Sequence, residues 1–480
     1  MIEVAEQKTE AKSEVKRVFD LQQANRLNIN QTTARERIDK LKKLLQFVLQ
    51  NQENIKRAIY QDFRKPGSEV DLTEIYVVTS EIKHAISHLK KWTKLKKVST
   101  PLAFAGAKSY IQYEPKGVVL IIAPWNFPFN LVFGPLISAI AAGNCVMIKP
   151  SEMTPHTSAL MTKMIEEFFP ENEVAIFEGD YKVSEELLKL PFNHIFFTGS
   201  PQVGKIVMKA AAENLASVTL ELGGKSPVII DETADVKESA EKVAWTKFIN
   251  NGQICIAPDY VLVHESKHDS FIEEFKKVVG KFYGNSSEEI KTSPDYARIV
   301  NHRHYQRIKG LIEDAREKGA KIEMGADFDD TTDFISPTLI TKVPENAKVL
   351  EEEIFGPVLP VLPYSQTQEP LDYINSRPIP LAMYIFSKKK KNVKNFLSAT
   401  TAGGTCVNDC GIHFYNNNIP FGGSNNSGVG KSHGFFGFEA FSNARSVMKQ
   451  PFKKNGIHLL MPPYNVKFKQ IMRELTIKYF

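Results

Sequence analysis

The feature that most restricts the fold is a set of short, uninterrupted apolar runs separated by helix-length segments. Val118-Val119-Leu120-Ile121-Ile122 and Cys145-Val146-Met147-Ile148 carry no charged or amide side chain on either face. A strand of this kind needs cover on both faces, as a parallel strand between helix layers has. Residues 155–169 then read as a helix, 173–177 and 194–198 as strands, and 203–214 as the next helix. A second series follows Gly223-Gly224, with strands at 228–230 and 260–263 and helices at 236–250 and 268–282. Such alternation predicts parallel βαβ units. The chain is therefore expected to be α/β, with two doubly wound halves and a cleft between them.

Upstream, Ile38, Leu41, Leu44, Leu45, Val48 and Leu49 share one helical face, and a second helix is expected over 72–92. Residues 97–112 read as an extended connection or a hairpin, and the polar first 20 residues as a frayed end. The 480 residues are 42% hydrophobic and 24% charged, which suits large cores and excludes a mainly disordered chain. Lys+Arg 61 less Asp+Glu 55 leaves +6, a small surplus for a protein that grips nucleic acid backbones. Four cysteines make no disulfide framework, the N-terminus is too charged for a signal peptide, and no apolar run reaches the ~18 residues that span a bilayer. The expectation is a soluble, cytoplasmic protein without a transmembrane segment.

Three residues carry the candidate chemistry. Cys255, in Asn251-Gly252-Gln253-Ile254-Cys255, follows a predicted helix and precedes a strand. A lone cysteine is more often packing than nucleophile. Glu221 precedes Gly223-Gly224, where paired glycines permit a sharp turn, and its leucine flanks suggest burial in place of the usual solvated surface. Burial would raise its pKa toward that of a general base at neutral pH. Asn126, in Pro124-Trp125-Asn126-Phe127-Pro128, ends the first strong strand, where ligands of open α/β sheets bind. Its amide could donate to an oxyanion, or merely stabilise a turn among prolines.

Longer stretches sharpen these alternatives. PWNFPFN (124–130), AAGNCVMIKPSE (141–152), FFTGSPQVGK (196–205), TLELGGKSP (219–227), NNGQICIAPDYVL (250–262), EEIFGPVLPV (352–361), RPIPLAMYIFS (377–387) and PFGGSNNSGVGKSHG (420–434) span nearly the whole chain. In content and order they resemble the NAD(P)-dependent aldehyde dehydrogenases. The spacing 255 − 221 = 34 also matches that family, and the APD after Cys255 and MPPY at 461–464 are similar to its class 3 branch.

The resemblance implies oxidation of an aldehyde to a carboxylate. Cys255 is then the nucleophile, Asn126 and the Cys255 N–H hold the oxyanion, and Glu221 activates the water that hydrolyses a thioester. A thiolate suits both attack and later departure, provided its pKa is lowered from about 8.5, which oriented N–H donors could do. Lys149 and Glu152 resemble the family's adenosine-ribose contacts, and Glu353 and Phe355 its nicotinamide-ribose and ring contacts. The Gly199-Ser200-x-x-Val203-Gly204 turn, with Leu222, is expected along the dinucleotide, although no strand-linked G-x-G-x-x-G exists. Glu152 should accept from ribose hydroxyls and repel a 2′-phosphate, which favours NAD, with NADP possible because class 3 members often use either. The implied organisation is a dinucleotide-binding domain (1–95 and 116–222), a catalytic domain (223–420) and an oligomerisation arm (96–115 and 445–480) of a homodimer.

Rival readings are weaker. Gly199 to Lys205 resembles a P-loop of a nucleotide hydrolase, but its glycines are one residue too close, and Ile206 stands where a Mg²⁺-ligating hydroxyl belongs. Cys406, Cys410 and His413 lack an obvious fourth metal ligand and the commonest spacing, so no metal site is expected. Lys388–Lys391 reads as a solvated turn without aromatic interleaving. The basic, apolar tail at 466–480 is expected to dock on a partner subunit in preference to a membrane surface, with peripheral membrane contact the alternative. His433 is expected to shape the substrate pocket. Ile254 replaces a common Thr, and Ser424-Asn425 a Val-Gly pair, while Cys406 and Cys410 are expected near the pocket. Phe127, Phe129 and Ile254 suggest an apolar tunnel for medium or long aliphatic or aromatic aldehydes.

Overall fold

Both long apolar runs lie at the centre of one sheet, and every residue of Val118–Ile122 and Cys145–Lys149 is buried. The computed structural model describes residues 2–101, 104, 106–450 and 461–479, with side chains described between residues 14 and 478 of those spans. The first sheet has six strands in the order Gly428–Val429, Ser217–Leu222, His194–Gly199, Val118–Ile122, Cys145–Lys149, Val174–Ile176. All neighbours are parallel except the first pair. Chain order runs one way from Val118–Ile122 and then jumps to its other side at His194–Gly199. That reversal opens a crevice at the carboxyl ends of these two strands, where Asn126 and Ser200 follow.

A second sheet of seven strands runs Lys321–Met324, Thr338–Thr341, Val358–Tyr364, Pro258–His264, Ser226–Ile230, Ala382–Phe386, Gly404–Val407, parallel except at its first pair. The α/β expectation of two doubly wound sheets is met. The segment at 97–112 is a hairpin: Lys96–Val98 and Lys108–Pro115 pair antiparallel, and Ser442–Lys449 extends them to a third sheet. Expectations for residues 102, 103, 105, 451–460 and 480 lie outside the described residues.

One expectation fails at the N-terminus. Ile2–Asn30 is a helix, not a frayed end. Val15, Val18 and Phe19 bury against the first sheet, and Gln22 Nε2 donates to Val146 O (3.0 Å) and Glu171 O (3.1 Å). Three apolar residues in a polar stretch thus hold the helix once a sheet is there to receive them. The helix Asn130–Ala142 was not read from the sequence because it is apolar almost all round, and buried helices lack an amphipathic signature. Gly143, with φ +90°, ends it.

Between the sheets' helices lies a buried ion pair, Lys65 Nζ to Glu74 Oε1 at 3.0 Å, both side chains fully inaccessible. Glu74 Oε2 also accepts the Asn130 N–H at 2.7 Å, and Lys65 stands 4.0 Å from the centre of the Phe127 ring. Burial lowers the Lys65 pKa and raises that of Glu74, each opposed by the partner's charge. Lys65→Met should therefore strand a buried carboxyl and cost about 3–5 kcal/mol, measured by urea unfolding. A loss below about 1 kcal/mol would show that the pair contributes little.

Candidate active site

The loop bearing Cys255 is built from residues that accept left-handed backbone. Asn250, Asn251 and Gly252 have φ of 53°, 56° and 73° in succession. Asn tolerates this region and Gly is at home in it. At Gly252 a Cβ would also stand 2.3 Å from the Gly356 carbonyl oxygen, so no side chain fits. The tight coil buries these amides and pairs their N–H groups, while the Oδ1 atoms of Asn250 and Asn251 are left without a partner. Asn250 Nδ2 donates to Asn126 O (2.9 Å) and Gln253 O (3.1 Å), Asn251 Nδ2 to Ala297 O (2.7 Å), and the Asn250 N–H to Glu69 Oε2 (2.8 Å). Asn126 Nδ2 donates to Gln253 O at 3.0 Å. This leaves its second amide hydrogen available beside the Cys255 turn. The fold thus brings Asn126 and the Cys255 loop together from 127 residues apart.

Glu221 lies at the end of Ser217–Leu222, in register with Thr198. Its Oε1 accepts from Ser432 Oγ at 2.8 Å, while Oε2 is buried without a partner. Burial pushes this carboxyl up to about 8, against the smaller pull of Ser432 and of the Lys431 charge. Cys255 behaves contrary to expectation. Its thiol is pushed up, first by burial and then by the Glu353 and Glu221 carboxylates, and the N–H groups of Cys255 and Ile256 offset this only in part. The donors that the sequence suggested are present, but two carboxylates in an apolar setting outweigh them.

Two cavities meet at this pair of residues. One is a wide cleft of about 890 Å³ and the other a narrow apolar tunnel of about 100 Å³, and Cys255 and Glu221 wall both. Asn126, Gly199, Ser200, Leu222, Glu353 and Phe355 wall the cleft. Ser200 caps the helix Pro201–Glu213, accepting the Val203 N–H at 3.4 Å, so a helix N-terminus opens onto the cleft. The Glu353 carboxyl lies against Gly223, where a Cβ would meet its oxygen at 2.0 Å. Burial is the main cause that raises it to about 8. Phe355 has φ +47° and packs edge-on to Trp125 at 5.3 Å.

Three of the residues expected along the cleft do not wall it. Gly204 packs beneath it, since a Cβ there would approach Leu222 Cδ2 to 2.7 Å. Lys149 is buried, donates to Pro150 O at 2.6 Å and pairs with the half-exposed Glu152 at 3.6 Å. Phe129, expected in the tunnel, instead stacks on Phe133 at 4.3 Å inside the core, while Phe127, Ile254 and His433 do line the tunnel. Cys406 Sγ meets His413 Nδ1 at 3.2 Å, and both it and the fully buried Cys410 are packed in the second core, not along either cavity.

Several wall residues were missed from the sequence. His304 and Arg307 project from the helix His302–Glu317, which carries no motif, and Arg307 donates to Ile354 O at 2.6 Å. Burial lowers His304 to about 4, and both its ring nitrogens lack a partner. Lys225 ties the Glu353 segment down, donating to Glu352 O (2.7 Å) and Val349 O (2.9 Å) and pairing with Asp259. Ser432 was visible only as the neighbour of His433.

Comparison with known proteins settles the family. Residues 2–447 match the model of the aldehyde dehydrogenase family. The chain belongs to that family. It is 45% identical over 436 residues to the 4,4′-diaponeurosporen-aldehyde dehydrogenase of Staphylococcus aureus, covering 91% of this chain and 93% of that one. It is 42% identical over 435 residues to aldehyde dehydrogenase family 3 member A2 of Macaca fascicularis, covering 91% and 88%, in keeping with the class 3 branch. The substrate-bound Staphylococcus aureus AldH superposes with a TM-score of 0.91 at 42% identity, covering 96% of this chain and 99% of that chain. The enzyme therefore oxidises aldehydes to acids. The nucleotide-hydrolase alternative gains nothing, and Ile206 lies exposed on its helix.

Ser432 supplies the hydrogen bond that holds the Glu221 pKa down. In Ser432→Ala the carboxyl should rise further above about 8. The ascending limb of the turnover–pH profile is then expected to move to higher pH, because a base works only when ionised. An unmoved limb would remove Ser432 from this role.

Proposed function

We propose that the enzyme oxidises medium- and long-chain aliphatic or aromatic aldehydes with NAD(P), by way of a thioester on Cys255. The carrying observation is that Cys255 and Glu221 stand where the apolar tunnel opens into the wide cleft. A nucleophile at such a junction meets a carbonyl carbon arriving from one side and a hydride acceptor from the other.

The cleft suits a dinucleotide. It offers a helix N-terminus and Lys205 for phosphate, the Glu353 carboxyl and Phe355 for a ribose and ring, and unpartnered His304 nitrogens beside Trp125. We keep Lys149 and Glu152 as ribose contacts at the adjoining strand end, which favours NAD over NADP through carboxylate repulsion of a 2′-phosphate. When bound, the nicotinamide supplies the hydride acceptor.

The Cys255 thiol gives up its proton to solvent through the cleft, and the resulting thiolate attacks the aldehyde carbon. The oxygen's new charge is held by the Cys255 backbone N–H and by the free Asn126 amide hydrogen. Loss of hydride from that carbon leaves an acyl group on sulfur. Glu221 then takes a proton from water as the water attacks the acyl carbon, and the thiolate departs. With its carboxyl near 8, Glu221 is poised to hold that proton.

We assign 1–95 and 116–222 to dinucleotide binding, 223–420 to catalysis, and 96–115 with 445–480 to contact with a second copy in a homodimer. Supporting this, Lys96–Val98 is an exposed edge strand of the third sheet. The helix Lys467–Tyr479 exposes Phe468, Ile471 and Leu475 among basic residues, a face suited to a partner subunit or, as the alternative, to a lipid surface. No helix among the described residues is long and apolar enough to cross a membrane.

Cys255→Ala should abolish NADH formation while NAD still binds, and Glu221→Gln should slow thioester hydrolysis roughly 100-fold or more while an NADH burst survives. Full turnover in Cys255→Ala would overturn the mechanism. Across straight-chain aldehydes, kcat/KM should rise with length from acetaldehyde toward octanal by several-fold per few methylenes. An optimum at acetaldehyde would refute the tunnel as the substrate site.

A further inference from the structure

The tunnel is mostly apolar, and besides Glu221 at its junction with the cleft a second buried acid enters it. Glu81 walls the tunnel from the helix Tyr76–Trp92, on the same face as Val77 one turn before. Its side chain is 4% exposed. Oε1 accepts the Gly434 N–H at 2.8 Å, but Oε2 is buried and has no partner at all. A buried carboxyl oxygen left unpaired is costly, and such an atom in a binding cavity is explained most simply by a ligand group that completes it.

The surroundings place this oxygen away from the reacting carbon. Leu131 walls both cavities beside Cys255, whereas Ser138 walls only the tunnel, seven residues further along the helix Asn130–Ala142. That separation is roughly 10 Å along the helix axis. The short helix Gly434–Ala440 ties Glu81 and Ser138 to the same end, Glu81 through the Gly434 N–H and Ser138 through close approach to Gly437. The tunnel thus has a reacting end at Cys255 and a polar far end at Glu81 and Ser138.

We propose that Glu81 recognises a hydroxyl group carried by the aldehyde at a distance from its carbonyl, so that hydroxylated aldehydes are the preferred substrates. This rests on the reading of the tunnel as the aldehyde site. A hydroxyl fits better than an ether or a second carbonyl, because it can give a hydrogen bond to an ionised Oε2 and accept one from a protonated Oε2. Burial pushes the Glu81 carboxyl up to about 7, so both forms are accessible near neutral pH. The role is one of specificity, since Glu81 walls the tunnel and not the cleft, and its hydrogen bond runs to the Gly434 N–H and not to Cys255, Glu221 or Asn126.

The test compares kcat/KM for octanal with that for octanals hydroxylated at carbon 4, 6 or 8, in wild type, Glu81→Gln and Glu81→Leu, with circular dichroism to verify the fold. In the wild type the ratio of hydroxylated to plain octanal should peak at one position, at roughly tenfold. Glu81→Leu should bring that ratio to one or below, through KM, whereas Glu81→Gln, which still gives and accepts hydrogen bonds, should keep most of it. A flat wild-type ratio across the three positions overturns the proposal whether or not the variants fold. So does a peak that persists in folded Glu81→Leu. Failure of the wild type to oxidise octanal at all would instead refute the tunnel reading on which the proposal rests.

Discussion

The left-handed turn at Asn250, Asn251 and Gly252 is the constraint on which the site depends. Three consecutive residues in this region cost conformational energy, and they persist only where surrounding bonds over-determine them. Here the bonds come from every side: Glu69 holds the Asn250 N–H, Ala297 the Asn251 amide, and Asn126 and Gln253 the Asn250 amide. The turn thereby converts strain into position. It presents Cys255 at the junction of two cavities and fixes the carbonyl that orients Asn126.

Around that turn the protein keeps acids in apolar surroundings. Glu221, Glu353, Glu69 and Glu81 all have pKa values raised mainly by burial. Each has a specific donor that limits the rise: Ser432, the Gly224 N–H, the Asn250 N–H and the Gly434 N–H respectively. Burial first, and then Glu353 and Glu221 among these acids, also raise the pKa of the Cys255 thiol. A reactive thiol raised by two neighbouring carboxylates is one whose ionisation answers to whatever charge enters the cleft.

Strand positions were legible because the fully apolar runs admit one solution, a strand covered on both sides. The Asn126, Glu221 and Cys255 motifs were legible because their glycines, amides and spacing match a family pattern over the whole chain. The helix Ile2–Asn30 was not, since Val15, Val18 and Phe19 make sense only against a sheet assembled from residues a hundred positions later. Nor were His304, Arg307 and Ser432, which reach the cavities from segments with no motif of their own. Phe129 shows the converse: only Pro128 separates it from the tunnel residue Phe127, yet it faces the core.

By itself, the order of amino acids determined the class of fold and the reaction type, and it singled out Glu221 and Cys255 as candidates, for these depend on local pattern and on residue chemistry. Which groups actually meet was decided by the tertiary structure alone. The thiol's elevated pKa, the Ser432 bond to Glu221 and the unpaired oxygen of Glu81 all arise from burial and close approach between distant segments. Solvation and electrostatics depend on what surrounds an atom in three dimensions, and a linear pattern does not contain that information.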